Sequence, residues 1–427
     1  MKRMLALTTA LLLVLTVSLT APATLAEGDP VTLSWYLPCY STSYITDEGF
    51  NQVTDAINAI TVSALNVKVD LKLTDDLATK AQMVIASGEA YDLMYTCNWL
   101  NPYSSNVAKG AFAPLEDLLD EYAPDLMATT PEYAWAAVTV NGHIYAMHSR
   151  QNWNRSEGIY IRGDLAEKYG FDGEGRIVSF EELEDLWAKM REGEPDDFYP
   201  TYVDVNFHWP YYLVTYGFEE VTGRNVPGCY RLEDEGYELV NQFETDTFRE
   251  YCHMMRRWNE NGYIRSDSAT YSLVSDNYEN DRLAGKLGSA QAGFCAPHVK
   301  AGYDSWEVNG EIVGAVTAQT TPGWMDNNMI TSSLNAVGIN SEHKEEAVAF
   351  YNLVATDPVL NNTLLYGVEG VNYEKVSDTQ VRLIPDTGYG AGTGATLPTW
   401  ACGNEFLGWV LDTHDPNLRA EIGRAHV

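Results

Sequence analysis

Apolar and polar positions alternate through Val31–Leu37 (VTLSWYL) and again through Val67–Leu73 (VKVDLKL), the period of a strand with one buried face. Between these runs, Glu48–Thr61 spaces its apolar residues as a helix does. A second helix is predicted from Ala78, with Ala81, Val84 and Ile85 on one stripe. Ser87-Gly88 ends it, and the apolar run Asp92–Thr96 follows as a strand. Strand, helix, strand, helix, strand at this spacing predicts parallel pairing in an α/β lobe.

Gly110–Leu126 carries a Pro-started helix whose buried stripe is Leu115, Leu118 and Leu119. Val138–Met147 is predicted as a hairpin about Asn141-Gly142, a dipeptide suited to the left-handed turn. A second lobe is predicted from near Ile159. There Ser179 and Glu182 have the spacing of a capping box for a helix reaching Arg191. Asp246–Asn261 and Glu342–Thr356 are further helices; Ile312–Thr317 and Leu334–Ile339 are strands expected to return to the first lobe.

Residues 1–26 have the form of a secretory signal, with Lys2 and Arg3 before the apolar core Leu5–Leu19 and small residues up to Ala26. Its removal takes the formal charge from −33 to −35, which argues against nucleic acid or anionic lipid as partner. Hydrophobic residues make up 45% of the chain, enough for a full core, and about 400 mature residues suggest two domains. The six cysteines are scattered and contain no C-x-x-C, which removes the usual zinc and redox spacings and leaves both disulfides and buried thiols open. Ile422–Val427 is what the codons ATC GGA AGA GCA CAC GTC encode, a string resembling a sequencing adaptor. The expectation is a non-native tail at 422–427 and a natural C-terminal portion beyond about Ala420 that is missing.

Several ordered fragments carry a family resemblance. They are the Gly88-Glu89 unit with its strand, the Pro114-Leu-Glu-Asp helix, NGHIYA at 141–146, RGDLAEKYG at 162–170 and SFEELEDLW at 179–187. AVGINSEHKEEAVAFYNLVATDP at 336–358 and LLYGVEGVNYE at 364–374 continue the series. Trp400-Ala-Cys-Gly403-Asn404-Glu-Phe406 is similar to a W-x-x-G-N-x-F element. In this order they resemble the extracellular solute-binding proteins of ABC importers, family 1, lipoprotein-like subgroup. The resemblance implies an α/β, two-lobe periplasmic-binding-protein-like fold, each lobe a mainly parallel sheet flanked by helices, with a hinge between. It divides the chain as 27–148 plus 312–340 for the first lobe and 149–311 plus 341–421 for the second. It also implies capture of a solute in the interlobe cleft, delivery to membrane permease subunits, a monomer and no catalysis. No cofactor or metal is expected. Members often carry a lipid-modified Cys at the cleavage site; here the first Cys is Cys39, so a freely soluble protein at the outer face of the cytoplasmic membrane is expected.

The chain holds 11 Trp and 27 Tyr, which bears on the solute, because sugar faces stack on aromatic rings while hydroxyls bond to polar side chains. In open α/β sheets such groups serve at strand ends. The candidates are therefore Trp35 and Tyr36 on the first strand, Asn98 and Trp99 after the third, and Arg150 and Trp153 after the hinge strand. Trp209 in FHWPYY, Trp324 and Asp326 in PGWMDNN, and Trp400 complete the set. Trp187, Trp258 and Trp409 sit on helical patterns and are expected in the core. A secreted carbohydrate-active enzyme is the main rival, and a sensory or adhesive binding module a third class. Glycoside hydrolysis needs two carboxylates at a set separation, and neighbours such as Glu219-Glu220 arise by chance among 60 acids. The chain has no H-E-x-x-H, G-x-S-x-G or G-x-x-x-x-G-K-[ST].

Overall fold

The alternation in Val31–Pro38 (β1) and Val67–Thr74 (β2) becomes two parallel strands in register from Val31↔Val67 to Pro38↔Thr74. This computed structural model describes residues 28–39, 42–203, 208–221, 227–234, 236–268, 276–292, 306–325, 327–389, 397–414, 416–417 and 419. The export signal, the 422–427 tail, Asp326 and Cys295 lie outside the described residues, as do the side chains of Trp209 and Trp324.

Helix Asp47–Leu65 (α1) joins the two strands. The Thr46 hydroxyl accepts the Gly49 N–H at its start, and Asn66 ends it in the left-handed region. Helix Leu77–Ser87 (α2) follows, capped by Asp76 and closed by left-handed Gly88, and leads into Leu93–Thr96 (β3), parallel to β1. Two later segments complete this sheet: Leu334–Val337 lies antiparallel to β3, and Met147–His148 pairs with Leu334–Val337 in turn. The Pro-started segment is two short helices, Glu116–Tyr122 and Pro124–Thr129. The Asn141-Gly142 hairpin forms, both residues having positive φ.

The second lobe is built on Gly158–Arg162, flanked by Ser289–Ala292 and Ala315–Gln319. Both pairings are antiparallel, unlike the parallel sheet expected for each lobe. Parallel pairing follows from adjacent strand–helix–strand units, and neither neighbour of Gly158–Arg162 is joined to it by a single crossover helix. Helix Phe180–Gly193 has its capping box between Ser179 and Glu182 and buries Leu183, Leu186, Trp187 and Met190. Trp258, from helix Asp246–Glu260, meets Trp187 edge-on at 4.7 Å.

The packing departs from the sequence-based division in two places. Ala315–Gln319, expected in the first lobe, pairs within the second and buries Ala318 in its core. Residues 341–421 were expected in the second lobe. Their helices Lys344–Thr356 and Pro358–Tyr366 instead bury Phe350, Tyr351, Leu360 and Leu364 in the first core with Trp35 and Leu37. Asp357 does close one helix there, but its carboxylate also caps the next by accepting the Val359 and Leu360 N–H groups. Trp409, expected on a helix, follows a short 3-10 turn at Glu405–Leu407 and packs against Tyr373. Cys39, Cys97, Cys229, Cys252 and Cys402 are free thiols.

Candidate functional site

The two lobes are joined by two passages of chain, one leaving the first lobe after His148 and one returning before Leu334. They run side by side: Trp324↔Arg155 and Met325↔Asn154 pair antiparallel, and the Glu157 N–H donates to the Thr321 hydroxyl at 2.7 Å. The Thr320 N–H donates back to the Glu157 carbonyl at 2.8 Å.

Beside these passages, the loop after β3 presents Trp99. Asn101 is fully buried, its side-chain amide donating to the Tyr95 carbonyl at 2.8 Å, while its own carbonyl accepts the Thr96 hydroxyl and the Cys97 N–H. A loop tied this closely leaves its tip residue no inward position, and Trp99 is 57% exposed. Its indole N–H donates to the Ser332 carbonyl at 2.9 Å, an oxygen that also accepts the Tyr95 hydroxyl at 3.0 Å. Trp400 braces both rings, with centroids 5.5 Å from Trp99 and 5.8 Å from Tyr95. Asn98 donates to the Asn328 carbonyl at 2.9 Å, and the Asn328 amide lies 3.5 Å from Glu219 of the second lobe. Gln151 on the outgoing passage donates to the Ser332 hydroxyl at 2.7 Å.

The W-x-x-G-N-x-F element holds this junction from behind. The Arg150 N–H donates to the Gly403 carbonyl at 2.8 Å, and the Glu405 N–H returns to the Arg150 carbonyl at 2.9 Å. Gly403 is in the left-handed region, and a Cβ there would meet the Val354 carbonyl at 2.7 Å. The Glu405 carboxylate accepts the Asn152 N–H at 3.3 Å and lies 3.5 Å from Arg419. Burial raises its pKa, opposed by Arg419. Arg150 spans Thr129, to whose carbonyl it donates, and Phe406, over whose ring its guanidinium lies at 5.7 Å.

Of the sequence candidates, Asn98, Trp99, Arg150 and Trp400 thus gather at the junction. Trp35 does not: it has no exposed surface, and its N–H is spent on Asn335 at 2.8 Å. Phe350 and Tyr351 of helix Lys344–Thr356 lie against its ring, so a strand position that looked half-open is core. Tyr36 is also buried and meets Tyr91 edge-on at 6.4 Å. Trp153 is buried with Ala134 and Ile330 beneath the hinge, 5.4 Å from His148. Tyr95, Gln151, Asn328 and Ser332 were not singled out from the sequence; Tyr95 reads there as one more residue of an apolar strand. Glu219, whose place beside Glu220 carries no signal in the sequence, is buried and turned toward Asn328.

No family model matches the chain. A curated relative, a carbohydrate ABC transporter substrate-binding protein of Streptococcus pneumoniae serotype 4, is 28% identical over 378 residues, covering 86% of this chain and 72% of the relative. Over most of both lengths the chain is thus similar in sequence to a solute-binding protein. Its fold is that of the N-glycan transport solute binding protein of S. pneumoniae, with a TM-score of 0.72 and 22% identity over 92% of this chain and 82% of that one. That protein has also been solved in complex with Man1GlcNAc and with Man5GlcNAc. An HMO binding, ABC-transporter associated solute-binding protein from Bifidobacterium longum infantis matches with a TM-score of 0.59 and 15% identity, over 93% of this chain and 84% of that one.

Proposed function

We propose that this chain is the exported substrate-binding component of an ABC importer, taking a carbohydrate or oligosaccharide between its lobes and delivering it to a membrane permease. One observation carries the reading: an indole more than half exposed, braced by a second indole and tied to the returning passage through Ser332. The apolar face of a pyranose stacks on such a ring, and the Asn98 and Gln151 amides beside it suit sugar hydroxyls. The carbohydrate transport role of the S. pneumoniae relative supports the same ligand class. Trp209, Trp324 and Asp326 are retained as ligand candidates on their sequence positions alone.

Closure of the lobes on ligand selects one state of an open–closed equilibrium, which is the form a permease would read. The protein acts as a monomer at the outer face of the cytoplasmic membrane and leaves the solute chemically unchanged. A thermal-shift and tryptophan-fluorescence screen with oligosaccharides, together with a reducing-end assay, tests this. We expect a raised unfolding midpoint, quenched emission and no new reducing ends. Product accumulating over hours, or no response to any saccharide, overturns it.

A further inference from the structure

A cavity of about 680 Å³ opens beside the outer strand of the first-lobe sheet, and the described residues that line it all fall between positions 36 and 89. Among the described residues it takes none from the second lobe, and it does not include Trp99 or Trp400. Its volume is within the range that holds a small organic ligand.

Three features give it chemistry. Tyr36 is only 6% exposed yet lines the cavity, and its hydroxyl forms no hydrogen bond among the described residues. The ring is held in the fold while the hydroxyl oxygen stays reachable from the cavity, so it is open to a ligand's hydroxyl. Burial raises its pKa, with Glu89 the next contributor, so the hydroxyl stays protonated and can both donate and accept.

The second feature is the strand edge. β2 is outermost in the sheet. The Val31 N–H donates to the Asn66 carbonyl and the Cys39 N–H to that of Thr74, so even-numbered residues of β2 face β1 and odd-numbered ones turn their peptide groups outward. Lower on that edge α1 supplies partners: the Thr61 hydroxyl donates to the Val67 carbonyl at 2.7 Å, and Asn58 accepts the Val69 N–H at 2.8 Å. Leu71 and Leu73, which line the cavity, have no such cover among the described residues.

The third is charge balance. Asp47, Glu89, Lys72 and Lys80 line the cavity, Lys72 being paired with Asp70 at 2.7 Å, and Phe50 adds an aromatic wall. An anion would meet the Asp47 and Glu89 carboxylates and a cation the Lys80 ammonium, whereas a neutral ligand rich in hydroxyls can bond to groups of both signs.

We propose that this cavity is a second binding site, contained in one lobe, for a neutral polyhydroxylated ligand the size of a mono- or disaccharide. The test titrates mannose, N-acetylglucosamine and maltose, by isothermal calorimetry, into the full chain carrying Trp99→Ala, which weakens the interlobe site. At least one sugar still binds, and adding Tyr36→Phe lowers its affinity about five-fold, the value of one neutral hydrogen bond. Adding Lys80→Glu instead gives a loss in the same direction. Tyr36→Phe keeps the ring against Tyr91, and Lys80 is exposed, so the second variant carries the test even if the first is poorly folded. Absence of binding by all three sugars overturns the proposal, as does affinity unchanged by both additions. Neither result bears on the interlobe reading, which stands or falls on oligosaccharide binding by the protein with Trp99 intact.

Discussion

The Trp35 indole N–H donates to the Asn335 side-chain oxygen across 300 positions of sequence, at 2.8 Å and out of reach of solvent. The Asn335 amide in turn donates to the Ala401 carbonyl at 3.0 Å and approaches the Ser149 and Tyr351 hydroxyls at 3.1 and 3.2 Å. One side chain thus joins the first strand, the outgoing passage, a late helix and the W-x-x-G-N-x-F element. Asn335→Ala strands several buried polar groups and is expected to cost about 2–3 kcal/mol or more of stability, read as a lower midpoint in urea. A midpoint within error of the parent protein counts against this account.

Two tryptophans are expected to behave oppositely. Trp99→Ala weakens saccharide binding by about 1–3 kcal/mol and leaves the melting temperature close to that of the parent, because the ring is mostly exposed. Trp153→Ala removes a buried ring and costs about 3–5 kcal/mol of stability. Calorimetry and thermal denaturation on the same two proteins separate ligand platform from packing.

His148 gives a pH dependence with a defined sign. Its ring lies between the Ile330 and Ala134 carbonyls, 3.2 and 2.9 Å away, and burial holds its pKa down to about 4 against those two contacts. The unfolded chain takes up a proton near pH 6.5 that the fold refuses until about pH 4. Stability from this group is therefore lost as pH falls through that window, by up to about 3 kcal/mol. The parent's unfolding free energy is expected to fall relative to that of His148→Gln between about pH 7 and about pH 5. Glu405, with its raised pKa, acts in the opposite direction but is common to both proteins. A constant gap between the two denaturation curves would dispose of the idea.

Gly403→Ala forces a side chain into the left-handed region and against the Val354 carbonyl and the Asn361 amide. The expected cost is at least about 1 kcal/mol, seen as a lowered melting temperature. Ligand affinity should fall with it, since Arg150 is aligned by the Gly403 carbonyl.

Local signals carried much of the fold. Alternation placed β1 and β2, stop signals bounded α2, Asn141-Gly142 set a hairpin, and Ser179 with Glu182 marked a helix start. What failed was non-local. Nothing within Lys344–Thr356 says that Phe350 and Tyr351 will pack on Trp35, so the lobe that the late helices join is not legible from their own sequence. Strand direction in the second lobe depends on segments more than a hundred residues apart. The same limit governs the site. Trp35 and Trp99 both read as strand-end aromatics until the covering helices and the ties of Asn101 are known.

The paired passages at 154–157 and 320–325 have a mechanical corollary. Two backbones laid flat against each other act as a ribbon, not as two independent threads, and a ribbon bends across its face far more readily than it shears in its plane. Movement of the halves is thereby channelled along a single arc. A solute gripped by one half then meets the same patch of the other at every encounter.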